Sequence, residues 1–186
     1  MKKLFFLFAM MVAMVANGQD IQLTPNGAYE VKEVVSDSTV SKNTFFGRAM
    51  EALSDWTGDD GKSCVGIDYS DKEAGTVIYK GEYYMGYYKT SLGGYIDAYI
   101  NFTLKVRCKD CKAQTTVSTS SVTYKASGIP SRTASIREIL EKKKEGKQPN
   151  ERQKKRIHMT PVRECVQNIL KAMTIRLAIP PDNDDF

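Results

Sequence analysis

Histidine and tryptophan are nearly absent from this 186-residue sequence, which contains one of each. A hydrolase that uses a histidine base also needs a nucleophile and an acid that orients the ring. The single histidine, His158, lies beside a basic run, and repulsion from those charges disfavours its charged form. No GxSxG or comparable nucleophile signature occurs in the chain. The sequence therefore does not support a histidine-dependent hydrolase, and it contains no motif that implies a cofactor.

Long apolar runs are also missing, apart from residues 4–16. Two lysines precede this run and the small residues Ala16 and Gly18 end it, which is typical of a secretory signal peptide. A membrane anchor is the alternative, but the run is too short to cross a bilayer core about 30 Å thick. We therefore predict cleavage before Gln19 and export to the periplasm or the extracellular space. The first cysteine is Cys64, so we expect no lipid anchor near the cleavage point.

Positive charge is concentrated in one segment of the chain. The sequence has 27 Lys and Arg against 22 Asp and Glu, and cleavage of the signal peptide would leave a net charge of +3. Residues 142–156 carry more than the whole of that excess, so the rest of the mature chain is slightly acidic. The segment has no aromatic side chain that stacks on bases, so we expect no nucleic-acid partner. A solvated linker between helices is the simpler interpretation of this segment. Binding to anionic lipid or surface polysaccharide is the alternative.

Three long β-segments dominate the middle of the chain, at residues 76–88, 95–107 and 112–124. In the second segment apolar and polar residues alternate, which predicts a strand with one buried face and one solvent face. The candidate binding residues are those of the solvent face: Tyr95, Asp97, Tyr99, Asn101, Thr103 and Lys105. Tyrosine presents an apolar ring and a hydrogen-bonding hydroxyl, which suits recognition of a protein or a sugar. The alternative is that tyrosines simply tolerate a half-exposed sheet.

Shorter elements flank these segments. Alternation predicts two further strands, at residues 29–35 and 65–69, and apolar residues spaced three and four apart predict a helix at 42–56. A second helix is expected at residues 136–145 and a third at 161–177. Ser127, Gly128 and Pro130 are expected to lead the chain out of the sheet after residue 124. The order of elements predicts an α+β domain, in which a single antiparallel sheet of about five strands has helices packed on one face.

Two stretches carry a resemblance to a known family. The first is the predicted helix FFGRAMEALSDW, and the second is IDYSDKEAGTVIYKGEY, with a D-K-E-x-G pattern and a later glycine at Asp71, Lys72, Glu73, Gly75 and Gly81. Together with an export signal and a helical C-terminus, they resemble exported bacterial proteins classed as a domain of unknown function with a TATA-binding-protein-like (TBP-like) fold. The resemblance implies a curved sheet backed by helices, and it does not imply DNA binding. The cysteine pair and the basic insertion after Glu141 depart from the family.

The resemblance covers roughly residues 29–125 and completes the domain assignment. We divide the chain into a signal peptide, a flexible leader, one α+β domain and an acidic tail, at residues 1–18, 19–28, 29–178 and 179–186. Within the domain, residues 29–125 are the TBP-like core and residues 126–178 the C-terminal helices with the basic linker.

Cys108 and Cys111 are separated by two residues. If those two residues form a tight hairpin turn, the cysteines face each other with Cα atoms about 5.5 Å apart, a distance that a disulfide spans. The same turn would place Leu104 opposite Thr115. A redox-active CxxC is the alternative, but that chemistry uses a helix N-terminus to stabilise the thiolate. Export favours a structural disulfide.

The remaining cysteines, Cys64 and Cys165, lie on different predicted elements. A zinc site formed by all four cysteines would contain one ligand pair at the usual spacing and two isolated ligands. A second disulfide between Cys64 and Cys165, or two buried thiols, is the simpler interpretation.

Acidic residues cluster in and around the short predicted strand at 65–69, and they are Asp59, Asp60, Asp68, Asp71 and Glu73. A glycosidase pair or a calcium site is conceivable there, but the spacing does not match an EF-hand loop. The leading hypothesis is a non-enzymatic exported binding or assembly module that uses the solvent face of the sheet to meet a protein or glycan. An envelope enzyme with carboxylate catalysis and a polyanion-binding protein are the alternatives.

Overall fold

Six strands of the protein form one antiparallel sheet in the computed structural model, which describes residues 23–54, 66–89, 93–144 and 159–178. The strands are β1 (Tyr29–Ser36), β2 (Ile67–Asp71), β3 (Thr76–Lys89), β4 (Tyr95–Lys109), β5 (Lys112–Ala126) and β6 (Ile129–Ser135). The helices are α1 (Lys42–Ser54), α2 (Ile136–Lys144) and α3 (Met159–Ala178). The sheet order is β1-β5-β4-β3-β2, and β6 pairs with the second half of β5. The predicted α+β fold with a single antiparallel sheet is confirmed.

The apolar face of the sheet lies beneath α1 and α3. Every second residue of β4 from Ala98 to Cys108 is buried, in agreement with the alternation in the sequence. The core joins these residues to Phe45 and Leu53 of α1 and to α3 residues spaced along one side of that helix, Val162, Val166, Ile169 and Met173. Burial of these apolar side chains is the main favourable term for the fold. The helices therefore cover the face of β4 that the sequence predicts to be buried.

Two arginines join α1 and α3 at their C-terminal ends. Arg48 is buried, and its Nη1 donates a hydrogen bond of 2.9 Å to the carbonyl oxygen of Leu177. Arg176 donates in the opposite direction, at 3.4 Å, to the carbonyl oxygen of Ala52. Both carbonyls belong to last turns, where intrahelical donors are lacking and a positive charge is favoured. Each helix thus satisfies backbone groups of the other.

The sixth strand was not predicted. β6 returns along β5 after a turn and pairs Ser135 with Ser121, whereas we expected Ser127, Gly128 and Pro130 to lead out of the sheet. Most of β6 is exposed, so its residues lack an apolar alternation that would identify a strand. A proline is tolerated in such an edge strand because one side of the strand needs no donor.

The β4–β5 hairpin also differs from the prediction. Lys109 pairs with Lys112 and Cys108 with Ala113, so Cys108 does not face Cys111. Both cysteines are free thiols: Cys108 is buried under the helices, and Cys111 lies exposed in the turn with φ +66°. The predicted disulfide and its register are therefore wrong. The turn lies one residue further along the chain, at Asp110 and Cys111, where both residues bond to the start of α1 or to the segment before it.

The turn of this hairpin is held by the loop that precedes α1. The Cys111 backbone N–H donates to the Val40 carbonyl oxygen at 2.9 Å, and the Cys111 carbonyl oxygen accepts from the Asp37 N–H at 2.9 Å. Asp110 Oδ1 accepts from the backbone N–H of Lys42, the first residue of α1, at 2.8 Å. A carboxylate at a helix N-terminus satisfies a donor that the helix leaves unpaired. These bonds fix the hairpin in the observed register.

Candidate recognition face

The surface of the sheet opposite α1 and α3 is here named the open face. All six candidate binding residues lie on it, since they alternate with the buried residues of β4. Five of them are half-buried, and Tyr95 at the strand end is exposed. The neighbouring strands contribute residues at paired positions, among them Tyr84 opposite Tyr99 and Thr123 on the other side. The structure therefore brings the predicted residues together and adds residues from β3 and β5.

Four tyrosines cluster at one end of the open face. The Tyr84 and Tyr99 rings are tilted by 56° with centroids 5.4 Å apart, and the Tyr87 and Tyr95 rings meet at 76° with centroids 5.3 Å apart. Both arrangements are of the kind that aromatic pairs prefer. Tyr87 and Tyr95 are 63% and 57% exposed. We name these four residues the tyrosine cluster.

A β-bulge in β3 creates this cluster. Tyr84 pairs with Tyr99 and Gly86 with Ala98, so Met85 is the extra residue between them. Without the bulge, Tyr84 and Tyr87 would point to opposite faces, as strict alternation predicts. Gly86 has φ +126°, a conformation that residues with a side chain rarely adopt. The sequence signal that reveals the bulge is therefore this glycine within a tyrosine-rich strand.

Asp97 lies among the tyrosines. The Tyr84 hydroxyl donates to Asp97 Oδ1 at 3.3 Å, and Tyr87 pairs with Asp97 across the strands. Burial, followed by the charge of Asp97, raises the pKa of Tyr84 above its ordinary value. The hydroxyl of Tyr84 therefore stays protonated and acts as a donor throughout the physiological pH range.

A cation joins the tyrosine cluster to the middle of the sheet. Lys125 Nζ lies 4.5 Å from the centroid of the Tyr99 ring and also forms an ion pair with Glu82. An ammonium over an aromatic face is attracted by the ring, at about 0.5–1 kcal/mol for exposed sites. Because these contacts span β3, β4 and β5, they hold Tyr99 in a defined orientation.

A second bulge lies on the other side of β4. Asn101 pairs with Ser121 and Phe102 with Thr119, so Ser120 is the extra residue and lies exposed. Beside it the open face has a depression of about 380 Å³. We name it the central depression, and it is lined by Ala28, Lys80, Gly81, Glu82, Asn101, Phe102, Thr103, Ser118 and Ser120. Bulges twist a sheet and re-aim its side chains, and they are common beside functional sites.

The acidic residues near β2 have structural contacts. Asp68 forms an ion pair with Lys80 at 3.0 Å, and Asp71 Oδ1 accepts from the Ala74 N–H at 2.8 Å in the turn before β3. That backbone bond, followed by the Tyr69 hydroxyl, lowers the pKa of Asp71. Asp59 and Asp60 lie outside the described residues. Asp68, Asp71 and Glu73 do not form a cluster that could hold a metal ion, and the first two have the separate structural contacts given above.

The D-K-E-x-G pattern specifies that turn. Gly75 has φ +62°, and a Cβ at this position would lie 2.4 Å from the carbonyl oxygen of Cys108. The same approach allows the Gly75 carbonyl oxygen to accept from the Cys108 N–H at 2.7 Å. Lys42 Nζ donates to the carbonyl oxygen of Glu73 at 2.9 Å. The motif therefore joins the β2–β3 turn to α1 and to the end of β4.

The described part of the chain holds neither a metal-binding cluster nor a membrane-spanning helix. Across residues 23–54, 66–89, 93–144 and 159–178, no group of three or more His, Cys, Asp or Glu side chains is placed to hold a metal ion. No helix in these ranges combines the length and apolarity needed to cross a membrane. Cys64, His158 and most of the basic segment lie outside the described residues.

The stretch of sequence that forms most of this sheet and α1 matches a known family. Residues 32–123 match the family described as "Domain of unknown function (DUF4468) with TBP-like fold". Residues 32–123 form a DUF4468 domain. The predicted resemblance and TBP-like fold are thereby confirmed.

Two solved structures have a similar fold. A DUF4468 family protein from Bacteroides ovatus is 9% identical, with a TM-score of 0.56 over 88% of this chain and 92% of that one. A TBP-like protein from Parabacteroides distasonis is 14% identical, with a TM-score of 0.54 over 87% of this chain and 100% of that one. At such low identity the likeness shows the fold alone. No curated protein matches the sequence.

Proposed function

We propose that this DUF4468 protein is an exported, non-enzymatic binding or assembly module that meets a protein or glycan partner through the open face. The N-terminal sequence supports export, since it has the basic start, short apolar run and small residues of a signal peptide cleaved before Gln19. The partner would then be encountered in the periplasm or outside the cell.

The observation that carries the proposal is the exposure of Tyr87 and Tyr95 on the face that the helices leave uncovered. Each is more than half exposed although both rings already contact each other. Aromatic side chains are enriched in recognition surfaces because they offer a large contact area with few rotatable bonds. Polar groups lie on the same face, among them Asp97, which is paired with Tyr87, and the Lys125–Glu82 ion pair. The open face therefore combines apolar contact area with fixed hydrogen-bonding groups.

Hydroxyl-radical footprinting tests this proposal in producing cells. The oxidation of Tyr87 and Tyr95 in intact cells is compared with that in the purified protein, with Ile175 as a control. Ile175 is 43% exposed on α3, in the opposite layer. We expect protection of the two tyrosines in cells and equal oxidation of Ile175. The proposal is refuted if each of the three residues is oxidised to the same extent in cells as in the purified protein.

A further inference from the structure

We propose that the central depression binds a neutral saccharide, and that further sugar units extend over the tyrosine cluster. This inference rests on the proposed function, because it requires the open face to be the recognition surface, and it names the class of ligand.

Asn101 supplies a fixed acceptor in the depression. Its Nδ2 donates to Ser121 Oγ at 3.0 Å and to Thr123 Oγ1 at 2.8 Å. These bonds occupy both amide hydrogens and orient the side chain, while Oδ1 has no partner within the described ranges. The exposed hydroxyl of Ser120 lies on the same rim and can donate or accept. Groups of this kind match the hydroxyls of a sugar, each of which is both donor and acceptor.

The charges that line the depression are already compensated. Lys80 pairs with Asp68 at 3.0 Å, and Glu82 pairs with Lys125. A ligand with a charge of either sign would therefore meet a nearby charge of the same sign. Complementarity of potential decides which partners are accepted and which are rejected. The site thus favours a ligand that has many hydrogen-bonding groups and no net charge.

The size and surroundings of the depression fit the same class of ligand. A volume of about 380 Å³ lies within the range of small-molecule sites, about 300–1,000 Å³. Tyr99 is the neighbour of Asn101 on the open face of β4, and Tyr95 lies further along that face, at the start of the strand. A sugar ring has an apolar face and polar edges, which tyrosine matches with its ring and its hydroxyl. The cluster therefore offers contact area to the next units of a glycan chain.

A protein partner fits the depression less well, and so does a second copy of this chain. Interface cores are depleted of charged residues, whereas two residues that line this depression, Lys80 and Glu82, belong to ion pairs. Burial of both pairs under a flat protein surface would remove four charged groups from water, which is unfavourable unless new hydrogen bonds replace their hydration. A saccharide leaves water beside these groups and replaces part of their hydration with its own hydroxyls.

NMR titration of the exported form, Gln19 to Phe186, tests the inference. The ¹⁵N-labelled protein is titrated at millimolar concentrations with maltohexaose, cellohexaose, xylohexaose and mannohexaose, and separately with the anionic oligosaccharides of hyaluronan and polygalacturonate. We expect at least one neutral oligosaccharide to shift the amide signals of Asn101, Thr103 and Ser120. Shifts of the Tyr95 and Tyr87 signals should accompany them for the longer chains.

Two variants locate the site. Ser120→Trp fills the depression from an exposed position, so the fold is retained, and we expect the affinity to fall about tenfold or more. Thr116→Trp is the control, since Thr116 lies on the open face of the same strand but does not line the depression. We expect the control to bind as the unmodified protein does, with the same thermal midpoint.

Three results would overturn the inference. They are a lack of shifts with every neutral oligosaccharide, binding of the anionic oligosaccharides alone, and binding that Ser120→Trp leaves unchanged. If Tyr87 and Tyr95 are protected in cells while no neutral oligosaccharide binds, the saccharide inference fails and the open face remains a recognition surface for a protein. If the tyrosines are unprotected as well, both proposals fail.

Discussion

Tyr87 and Tyr95 contact each other edge to face across β3 and β4, with ring centroids 5.3 Å apart, and both stay more than half exposed. A pair of this kind adds about 0.5–1.5 kcal/mol at most beyond the area it buries. Exposed aromatic rings that contribute so little to the fold are available for another role. Tyr79, on the same strand, is by contrast only 1% exposed and belongs to the core.

Replacement of Tyr87 and Tyr95 by Ser is expected to leave the fold nearly unchanged. We expect the double variant to lose no more than about 1.5 kcal/mol in free energy of unfolding, because exposed side chains bury little area. The control is Tyr79→Ser, which removes a core aromatic and should cost about 3–5 kcal/mol. Urea unfolding followed by circular dichroism measures both. Similar losses in the two variants would show that the cluster is part of the core.

Gly75→Ala is expected to destabilise the protein strongly. Its φ of +62° costs a residue with a side chain about 1–2 kcal/mol, and the new methyl group would lie 2.4 Å from the Cys108 carbonyl oxygen. We expect a total loss of about 3 kcal/mol or more. Gly128→Ala is the matched control, since Gly128 has φ +73° with open space around it. This variant should lose only the free energy that positive φ costs a residue with a side chain. Equal losses would contradict the close approach.

Cys111 is expected to be the reactive thiol of the folded protein. Burial raises the pKa of Cys108 to about 11 and, with a smaller effect of Glu164, that of Cys165 to about 11. Both thiols therefore stay protonated at pH 8 and react slowly, whereas Cys111 is exposed. Iodoacetamide labelling of a Cys64→Ser variant, followed by peptide mapping, should find label on Cys111 alone. A Cys108–Cys111 disulfide peptide, or label on Cys108, would contradict the observed hairpin.

Asp71 is expected to make stability depend on pH on the acid side. Hydrogen bonds from the Ala74 N–H and the Tyr69 hydroxyl lower its pKa in the folded protein below the ordinary value of 3.8. The unfolded chain therefore binds the proton more readily, so this stabilisation is present above pH 3.8 and is lost as the pH falls through the folded-state pKa. Asp71→Asn should thus lose stability at pH 7, and the difference from the unmodified protein should narrow towards pH 3. Urea unfolding between pH 3 and pH 7 measures this difference in free energy of unfolding. A difference that does not change with pH would contradict the prediction.

Much of the fold follows from one strand of the sequence. The alternation from Tyr95 to Arg107 identifies both the buried and the open side of β4, because side chains of a strand point alternately to its two faces. The helices were predicted from their apolar spacing and do cover the buried side. The six candidate residues of the open face were therefore predictable.

The residues that β3 and β5 add to the open face could not be predicted from alternation alone. Each of the two bulges inserts one residue, Met85 or Ser120, and so reverses the alternation beyond it. Whether a strand contains a bulge depends on its pairing partners, which alternation within one strand does not specify. The hairpin at Cys111 was misplaced for a similar reason, since its register is fixed by contacts with the distant loop before α1. Strand pairing and turn contacts thus determine the register wherever the local sequence pattern is ambiguous.

Photo-crosslinking in the cells that make the protein determines whether the open face is the recognition surface. A diazirine amino acid is placed at Tyr95 in one variant and at Ile175, an exposed position in the opposite layer, in the other. We predict that light gives a discrete protein or glycan adduct from position 95 and none from position 175. Adducts of equal yield from both positions, or an adduct from position 175 alone, would contradict the account.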